Sequence, residues 1–319
     1  MLFFFCTIIF IVAVITLGVS CGLAARSLFK ISRIIGVNDY IVSFILLGVI
    51  TSLPEMFIGL ISTIAKVPLI SVGNIIGANF ANVTLVLGAV AILSDGIDLH
   101  ALLSKRVFWL SCLLALLPPL LIFSGGVSRQ DGLMLCTIFL AYCVVFARDA
   151  NFFHRSRQHV PFSAHYGKEV YSSLHDLAIG IPLIILSSIF IVMFSTSLAT
   201  YFSVDLIFVG TVFFGLITTL PELLFGMRSG ILRHPSLALG NVLASVAWNS
   251  AFVLGMLSVV SPSIVNLSGR SLFLNAGFTF VAFVLLSIFS YTGSKINRAE
   301  GILLVSLYLL FFISSIVLI

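Results

Sequence analysis

The strongest constraint on this chain is its series of unbroken apolar runs, each about twenty residues long. A helix rises about 1.5 Å per residue, so each run can cross about 30 Å of hydrocarbon. A membrane-crossing strand would instead alternate apolar and polar residues over about ten positions. Composition points the same way. Of 319 residues, 60% are apolar and 8% are charged, where a soluble domain carries about 25% charged residues. A water-solvated surface cannot be built from this chain, so lipid is its solvent. The expected fold class is an all-α integral membrane protein, with the lipid bilayer as its first partner.

Ten spans are expected, over roughly 2–24, 39–65, 69–93, 107–123, 131–147, 177–201, 204–228, 237–260, 272–292 and 300–319. Pro118 and Pro119 threaten an early end to the fourth. Residues 1–24 read as a span and not as a cleavable signal peptide, because positive charge follows the apolar run instead of preceding it. With ten spans, thirteen Lys and Arg residues fall in one set of loops, and only Lys66, Arg129 and Arg270 fall in the other. By the positive-inside rule both termini face outward, in the plasma (inner) membrane. The net charge of +5 is thereby accounted for, and neither a nucleic-acid partner nor a required protein partner is called for. Cys6, Cys21, Cys112, Cys136 and Cys143 lie in apolar spans without metal-type spacing and read as small hydrophobes. Of two glycosylation-like triplets, Asn82-Val83-Thr84 lies inside a span, and only Asn266-Leu267-Ser268 falls in an outward loop.

The chain repeats itself. Shifted by 167 positions, Gly48-Val-Ile-Thr-Ser-Leu-Pro-Glu55 lies over Gly215-Leu-Ile-Thr-Thr-Leu-Pro-Glu222. Gly59, Ser62, Pro68, Gly73-Asn74, Asn82 and Gly88 then meet Gly226, Ser229, Pro235, Gly240-Asn241, Asn249 and Gly255. Eighteen identities fall within residues 37–88 without a gap, too many polar and special residues in order for chance hydrophobic similarity. Five spans separate equivalent points, and an odd number inverts the second copy. The expected architecture is therefore two inverted five-helix repeats, 1–147 and 177–319, joined by a cytoplasmic loop at 148–176. Transporters use such halves to open one central site alternately to either side.

Of eleven acidic residues, only Glu55 and Glu222 fall near the middle of a span. Each costs about 2.5–3.5 kcal/mol to place there, and their matching positions in the two copies point to function. Pro54 and Pro221 precede them; lacking an amide donor, each should free carbonyls near Ile50–Thr51 and Ile217–Thr218. Thr51, Ser52, Thr218 and Thr219 add hydroxyls beside these breaks. Two carboxylates with carbonyls and hydroxyls make an all-oxygen cage suited to one divalent cation or several monovalent ones. Mg²⁺ suits it less, because it sheds water reluctantly, and no His or Cys is present for zinc, copper or iron. On the neighbouring spans, Gly73, Asn74, Gly240 and Asn241 read as packing positions that bring helices close. Asn82 and Asn249 read as neutral ligands or as orienters of the glutamates, and Asn79 as a helix bridge.

These residues carry a resemblance. Thr51-Ser52-Leu53-Pro54-Glu55 with Gly73-Asn74, repeated as Thr218-Thr219-Leu220-Pro221-Glu222 with Gly240-Asn241, resembles the two alpha-repeats of the cation/calcium exchanger superfamily, and most closely its sodium/calcium exchanger branch. The motifs cover 37–93 and 204–260. The resemblance implies a ten-helix inverted-repeat fold with outward termini and a central site at which Ca²⁺ and Na⁺ compete, with no cofactor. It implies Glu55 and Glu222 as shared carboxylate ligands, and Thr51 and Thr218 as carbonyl donors. Ser52 and Thr219 would contact sodium, Ser245 would line a flanking sodium site, and Asn82 and Asn249 would complete the centre. The chain departs from the family pattern at Ile50 and Ile217, where Gly is usual. It departs again at Ala78, where Ser is expected, and at Asn82 and Asn249, where relatives often carry an Asp.

The expected function is secondary-active exchange of Na⁺ for Ca²⁺ by alternating access, without ATP and without enzymatic chemistry. The alternatives are a proton/calcium antiporter and, from a different class, a cation channel or a non-transporting family member. Nothing in the loops resembles a nucleotide-binding signature or a nucleophile–base set.

Overall fold

The computed structural model describes residues 2–35, 48–99, 104–152, 166–261 and 270–317. It is helical almost throughout. In chain order the helices are α1 (Leu2–Ile35), α2 (Gly48–Ile64), α3 (Pro68–Ser94), α4 (Lys105–Phe123) and α5 (Arg129–Phe152). They continue as α6 (Tyr166–Phe202), α7 (Leu206–Ile231), α8 (Pro235–Val260), α9 (Arg270–Thr292) and α10 (Arg298–Val317). Among the described residues nine of these are long and apolar enough to cross a membrane. As described, α2 spans only about 26 Å by its helical rise; the start of the expected second span, 39–47, lies outside the described residues.

Several expected boundaries move. At about 51 Å and 56 Å, α1 and α6 are longer than the hydrocarbon is thick. The segment 148–176, expected as a loop, is entered by helix at both ends: α5 runs to Phe152 and α6 starts at Tyr166. Polar residues such as Lys168 and Glu169 suit a helix end in water as well as they suit a loop. Pro118 and Pro119 do not end α4, which continues through both to Phe123. Both prolines are buried against neighbouring helices, and tertiary packing tolerates the lost backbone bonds.

The two copies repeat each other in local structure. After α2, Lys66 adopts a left-handed φ of 63°, and after α7 Arg233 does the same at 61°. The bonds Ala65 N to Ile61 O, Lys66 N to Thr63 O and Val67 N to Ser62 O recur as Leu232 N to Arg228 O, Arg233 N to Gly230 O and His234 N to Ser229 O. Each partner is shifted by 167 residues. Packing follows the same rule: α3 lies against α10 as α8 lies against α5, α4 packs on α9, and α1 lies along α6. α3 and α8 are the most enclosed helices, while α1, α5 and α10 present most of their surface outward. This reverses the soluble pattern, with the polar helices inside and apolar side chains facing out.

Where α3 crosses α7 the backbones touch. A Cβ on Gly77 would stand 2.0 Å from the Thr211 carbonyl oxygen, and one on Gly73 would stand 2.9 Å from Ile207 O. Only glycine permits this approach, which is the means by which helices associate closely in lipid. At one end of the bundle three connections meet. Ile97–Asp98 (β1) pairs antiparallel with Lys295–Ile296 (β2). Asp95, left-handed at φ 62°, takes Arg233 at 2.8 Å and Arg298 at 2.9 Å. The positive-inside tally puts Arg233, Lys295 and Arg298 on one side, and these contacts bring their three connections together.

Two outcomes follow from this packing. Gly77→Val should lower the thermal midpoint in detergent by the equivalent of about 1–3 kcal/mol or more. Gly18→Ala, with open space around its Cβ position, should leave the midpoint unchanged; equal effects would sink the close-crossing account. At the loop cluster, the Arg233 hydrogen bond and then the Arg298 charge hold the Asp95 carboxyl below its usual range. A carboxyl lowered in the folded state stabilises above the unfolded value of about 3.9, and that contribution is lost as pH falls through the folded value. Asp95→Asn should therefore melt lower than the native chain above about pH 5, with the gap closing on acidification and in high salt. A gap that persists at low pH would exclude the ion pairs as its cause.

Candidate cation site

The site is assembled where α2 and α3 face α7 and α8. Glu55 and Glu222 are fully buried, and among the described residues none of their four carboxylate oxygens accepts a hydrogen bond. The two side chains lie within electrostatic reach of each other. The Thr218 hydroxyl lies near Glu55, and the Thr51 and Ser245 hydroxyls lie near Glu222. Each carboxylate thus faces a threonine hydroxyl of the opposite copy, and Glu222 also faces Ser245 of its own.

The same crossing governs the amides. Thr51 Oγ1 donates to Asn241 Oδ1 at 3.3 Å, and Thr218 Oγ1 approaches Asn74 Oδ1 at 3.2 Å. These are one contact and its counterpart, each residue replaced by its partner 167 positions away. Asn74 and Asn241 were expected only to help helices pack; they also point their oxygens at the site threonines, and their Nδ2 atoms have no partner. Asn82 and Asn249 are fully buried, and neither end of either amide is paired. A buried amide with no partner costs about 1–3 kcal/mol per group, so an unmatched cluster of this size signals a ligand. Ser245 joins the cluster through Thr51 at 3.1 Å and Gly48 O at 3.2 Å. Gly73 and Gly240 lie beside these asparagines on helices buried all round.

The two prolines sit in different local structures. In α2 the helix is interrupted at Ser52 (φ −87°, ψ 3°), between Gly48–Thr51 and Leu53–Ile64, with Pro54 in the first turn of the second piece. In α7 the helix runs through Pro221 without a break from Gly215 to Ile231. There Thr218 donates to Phe214 O at 2.9 Å and Thr219 to Gly215 O at 2.5 Å, so hydroxyls hold the turn before the proline together. The Ser52 hydroxyl makes no such bond. Residues Ile217–Thr218 are therefore not a break, although Pro221 still offers no amide to the Ile217 carbonyl.

Other features of the region leave no mark in the repeated motifs. Three π-helical stretches, Asn82–Val86, Val209–Phe214 and Trp248–Val253, border the site. Two of them begin at or beside Asn82 and Asn249, and single wide turns of this kind gather at functional sites. Asn79 does bridge helices, donating to Ser250 Oγ at 2.8 Å. Asn275 on α9 donates to Thr211 Oγ1 at 3.1 Å inside the second π stretch. An amide in mid-span is a legible signal, and Asn275 is the residue that such a search would have found.

Comparison with known proteins bears on the family and the fold. A family model described as sodium/calcium exchanger protein matches residues 5–148 and 172–317. The sodium/calcium exchanger MaX1 of Methanosarcina acetivorans is 22% identical, over 90% of this chain and 92% of its own. The inner membrane protein YrbG of Escherichia coli is 26% identical over 73% of each. A solved structure of the sodium-calcium exchanger NCX_Mj, soaked with Na⁺ and Sr²⁺, superposes with a TM-score of 0.69 over 97% of this chain and 98% of its own, at 23% identity. That likeness speaks to the fold.

The Asn79–Ser250 bridge can be tested apart from the site centre. Ser250→Ala leaves the Asn79 amide buried with both ends unpaired. The thermal midpoint in detergent should drop by the equivalent of about 1–3 kcal/mol, whereas Ser250→Thr, which keeps the hydroxyl, should recover part of it. Equal loss in both would mean that volume and not the hydrogen bond matters.

Proposed function

Because the chain belongs to the sodium/calcium exchanger protein family, we propose that it is a secondary-active antiporter that exchanges Na⁺ for Ca²⁺ at a mid-membrane site. The observation that carries this reading is the pair of buried glutamates at positions 167 residues apart, unpartnered among the described residues, each facing a threonine of the other copy. Glu55 and Glu222 are the shared carboxylate ligands. Thr51, Ser52, Thr218, Thr219 and Ser245 supply hydroxyl or carbonyl oxygens, while Asn82 and Asn249 close the centre. One Ca²⁺ neutralises two carboxylates, and in a low-dielectric bundle the neutral loaded state is the one that can be carried across.

The architecture we infer is ten spans in two inverted halves, 1–147 and 177–319, joined at 148–176, with both termini outward in the plasma membrane. The bond-for-bond repetition of the turns after α2 and α7 supports the two halves, and the inner-membrane name of the Escherichia coli relative is consistent with the location. Alternating access then follows from exchanging the conformations of equivalent elements around one centre. Lipid and the transported ions are the only partners this reading needs.

The test is ⁴⁵Ca²⁺ uptake into proteoliposomes of the full chain preloaded with Na⁺, beside Na⁺-free and proton-gradient controls. Uptake should require internal Na⁺. Glu55→Gln and Glu222→Gln should each fall to the level of protein-free vesicles and keep or raise the thermal midpoint, since a neutral amide replaces a buried charge. Normal uptake by either variant would remove the glutamates from the site. Uptake driven by the proton gradient alone would make the chain a proton/calcium antiporter.

A further inference from the structure

α7 reaches the site through a wide turn, and α3 is fitted to that turn. In π geometry, which bonds residue i to i+5, residues five apart stack above one another. On an α-helix of 3.6 residues per turn the same two stand about 140° apart. Gly210 and Gly215 are five apart, stand at the two ends of the π stretch Val209–Phe214, and both lie on α3. A Cβ on Gly210 would stand 3.1 Å from Gly73 Cα and 2.7 Å from Ile70 O, and one on Gly215 would stand 2.7 Å from Gly77 Cα. Gly73 and Gly77 are four apart on an ordinary helix. A four-residue step on α3 thus mates with a five-residue step on α7, and only the wide turn keeps both contacts.

The turn is held from outside. A wide turn forfeits an ordinary backbone bond, and in lipid the released group needs another partner. The Thr211 hydroxyl supplies a donor, reaching Ile207 O at 2.9 Å and Phe208 O at 3.4 Å. It accepts in turn from Asn275 Nδ2 of α9 at 3.1 Å. Asn275 is buried between Leu272 and Ala276 on an apolar helix, and its Oδ1 has no partner among the described residues. An amide at this depth is costly, and the bond to Thr211 is what it provides. The site begins where the turn ends. Phe214 O, the last carbonyl of the stretch, accepts from the Thr218 hydroxyl at 2.9 Å, and that hydroxyl lies 3.2 Å from Asn74 Oδ1 and near Glu55. The first copy carries Phe44 at the position of Thr211, so the repeat does not duplicate this pair.

We infer that Asn275 is a positioning residue for the exchange, acting from α9 through Thr211 to hold the wide turn of α7 and so to keep the Thr218 hydroxyl beside Glu55 and Asn74. The inference rests on the proposed sodium/calcium exchange and adds to it a residue outside the repeated segments. The role is indirect, because the Asn275 side chain bonds to Thr211 and not to a carboxylate. If the turn closed to α geometry, Gly210 and Gly215 could not both stay on α3, and the residues beyond the turn, Thr218 among them, would swing about the helix axis. Loss of the bond therefore weakens cation binding at the site while the bundle stays folded.

The experiment measures ⁴⁵Ca²⁺ uptake by Na⁺-loaded proteoliposomes of the full chain against external Ca²⁺, so that half-saturation and maximal rate are read separately. Asn275→Leu removes the amide and Thr211→Val the hydroxyl, and each should raise the half-saturating Ca²⁺ about five- to tenfold. Thr211→Ser keeps the hydroxyl and should recover most of that affinity. The two changes together should cost no more than the larger one alone, because they break the same bond. A Ca²⁺ titration of the thermal midpoint in detergent repeats the comparison for any variant that transports too slowly to read. A merely structural role would lower the midpoint and the maximal rate and leave half-saturation unmoved. That outcome overturns the inference, as do effects of the two changes that multiply. If Asn275→Leu does not fold, Thr211→Val against Thr211→Ser decides, and equal half-saturation in the two overturns it. Absence of Na⁺-driven uptake by the native chain would sink the exchange reading, and this inference with it.

Discussion

Two carboxylates stand in the middle of a lipid-embedded bundle with no basic side chain among the described residues to neutralise them, and the rest of the structure is arranged around that fact. Isolated charge at this depth is tolerated only where protein or a passing ion answers it. Glu55 and Glu222 are answered by oxygen dipoles from the opposite copy and by four asparagines on the two most enclosed helices. That answer requires close backbones. Gly77 against Thr211 and Gly48 against Ala244 let helices approach until short side chains such as Thr and Ser can reach across. Close glycine packing and exposed site chemistry are thus one design: larger residues at the crossings would push the hydroxyls out of reach of the carboxylates.

Much of this was legible in the sequence, for physical reasons that differ by feature. The spans were readable because lipid admits no long stretch of unsatisfied backbone, so apolar run length translates directly into helix. The glutamates were readable because mid-span acids are costly enough to need a reason. The threonines and asparagines followed from their fixed offset to those acids. Helix ends were not readable where a helix leaves the bilayer, as α1 and α6 do, because water and helix both accept Lys168 and Glu169. The π stretches were invisible as well. A wide turn adds one residue to a helix without any residue type that marks it, and it is stabilised by neighbours such as Asn275 on Thr211 that are distant in sequence.

The prolines mark the limit of reading by motif. Thr-Ser-Leu-Pro-Glu and Thr-Thr-Leu-Pro-Glu differ by one methyl group, yet α2 is interrupted and α7 is not. Proline removes the same amide from both, so the outcome turns on what else can hold the preceding turn. In α7, Thr219 and Thr218 bond back to Gly215 O and Phe214 O and keep that turn helical. In α2 the Ser52 hydroxyl makes no such bond, and Thr51 turns outward to Asn241 and Ser245. A β-branched threonine is stiff at χ1 and favours the back-bonded rotamer in a helix, whereas serine holds it less firmly. Gly48 O accepts from Ser52 N at 3.3 Å within its own turn and from Ser245 across the crossing at 3.2 Å. A duplicated motif has thereby come to two local structures, one helix interrupted before its proline and the other continuous through it.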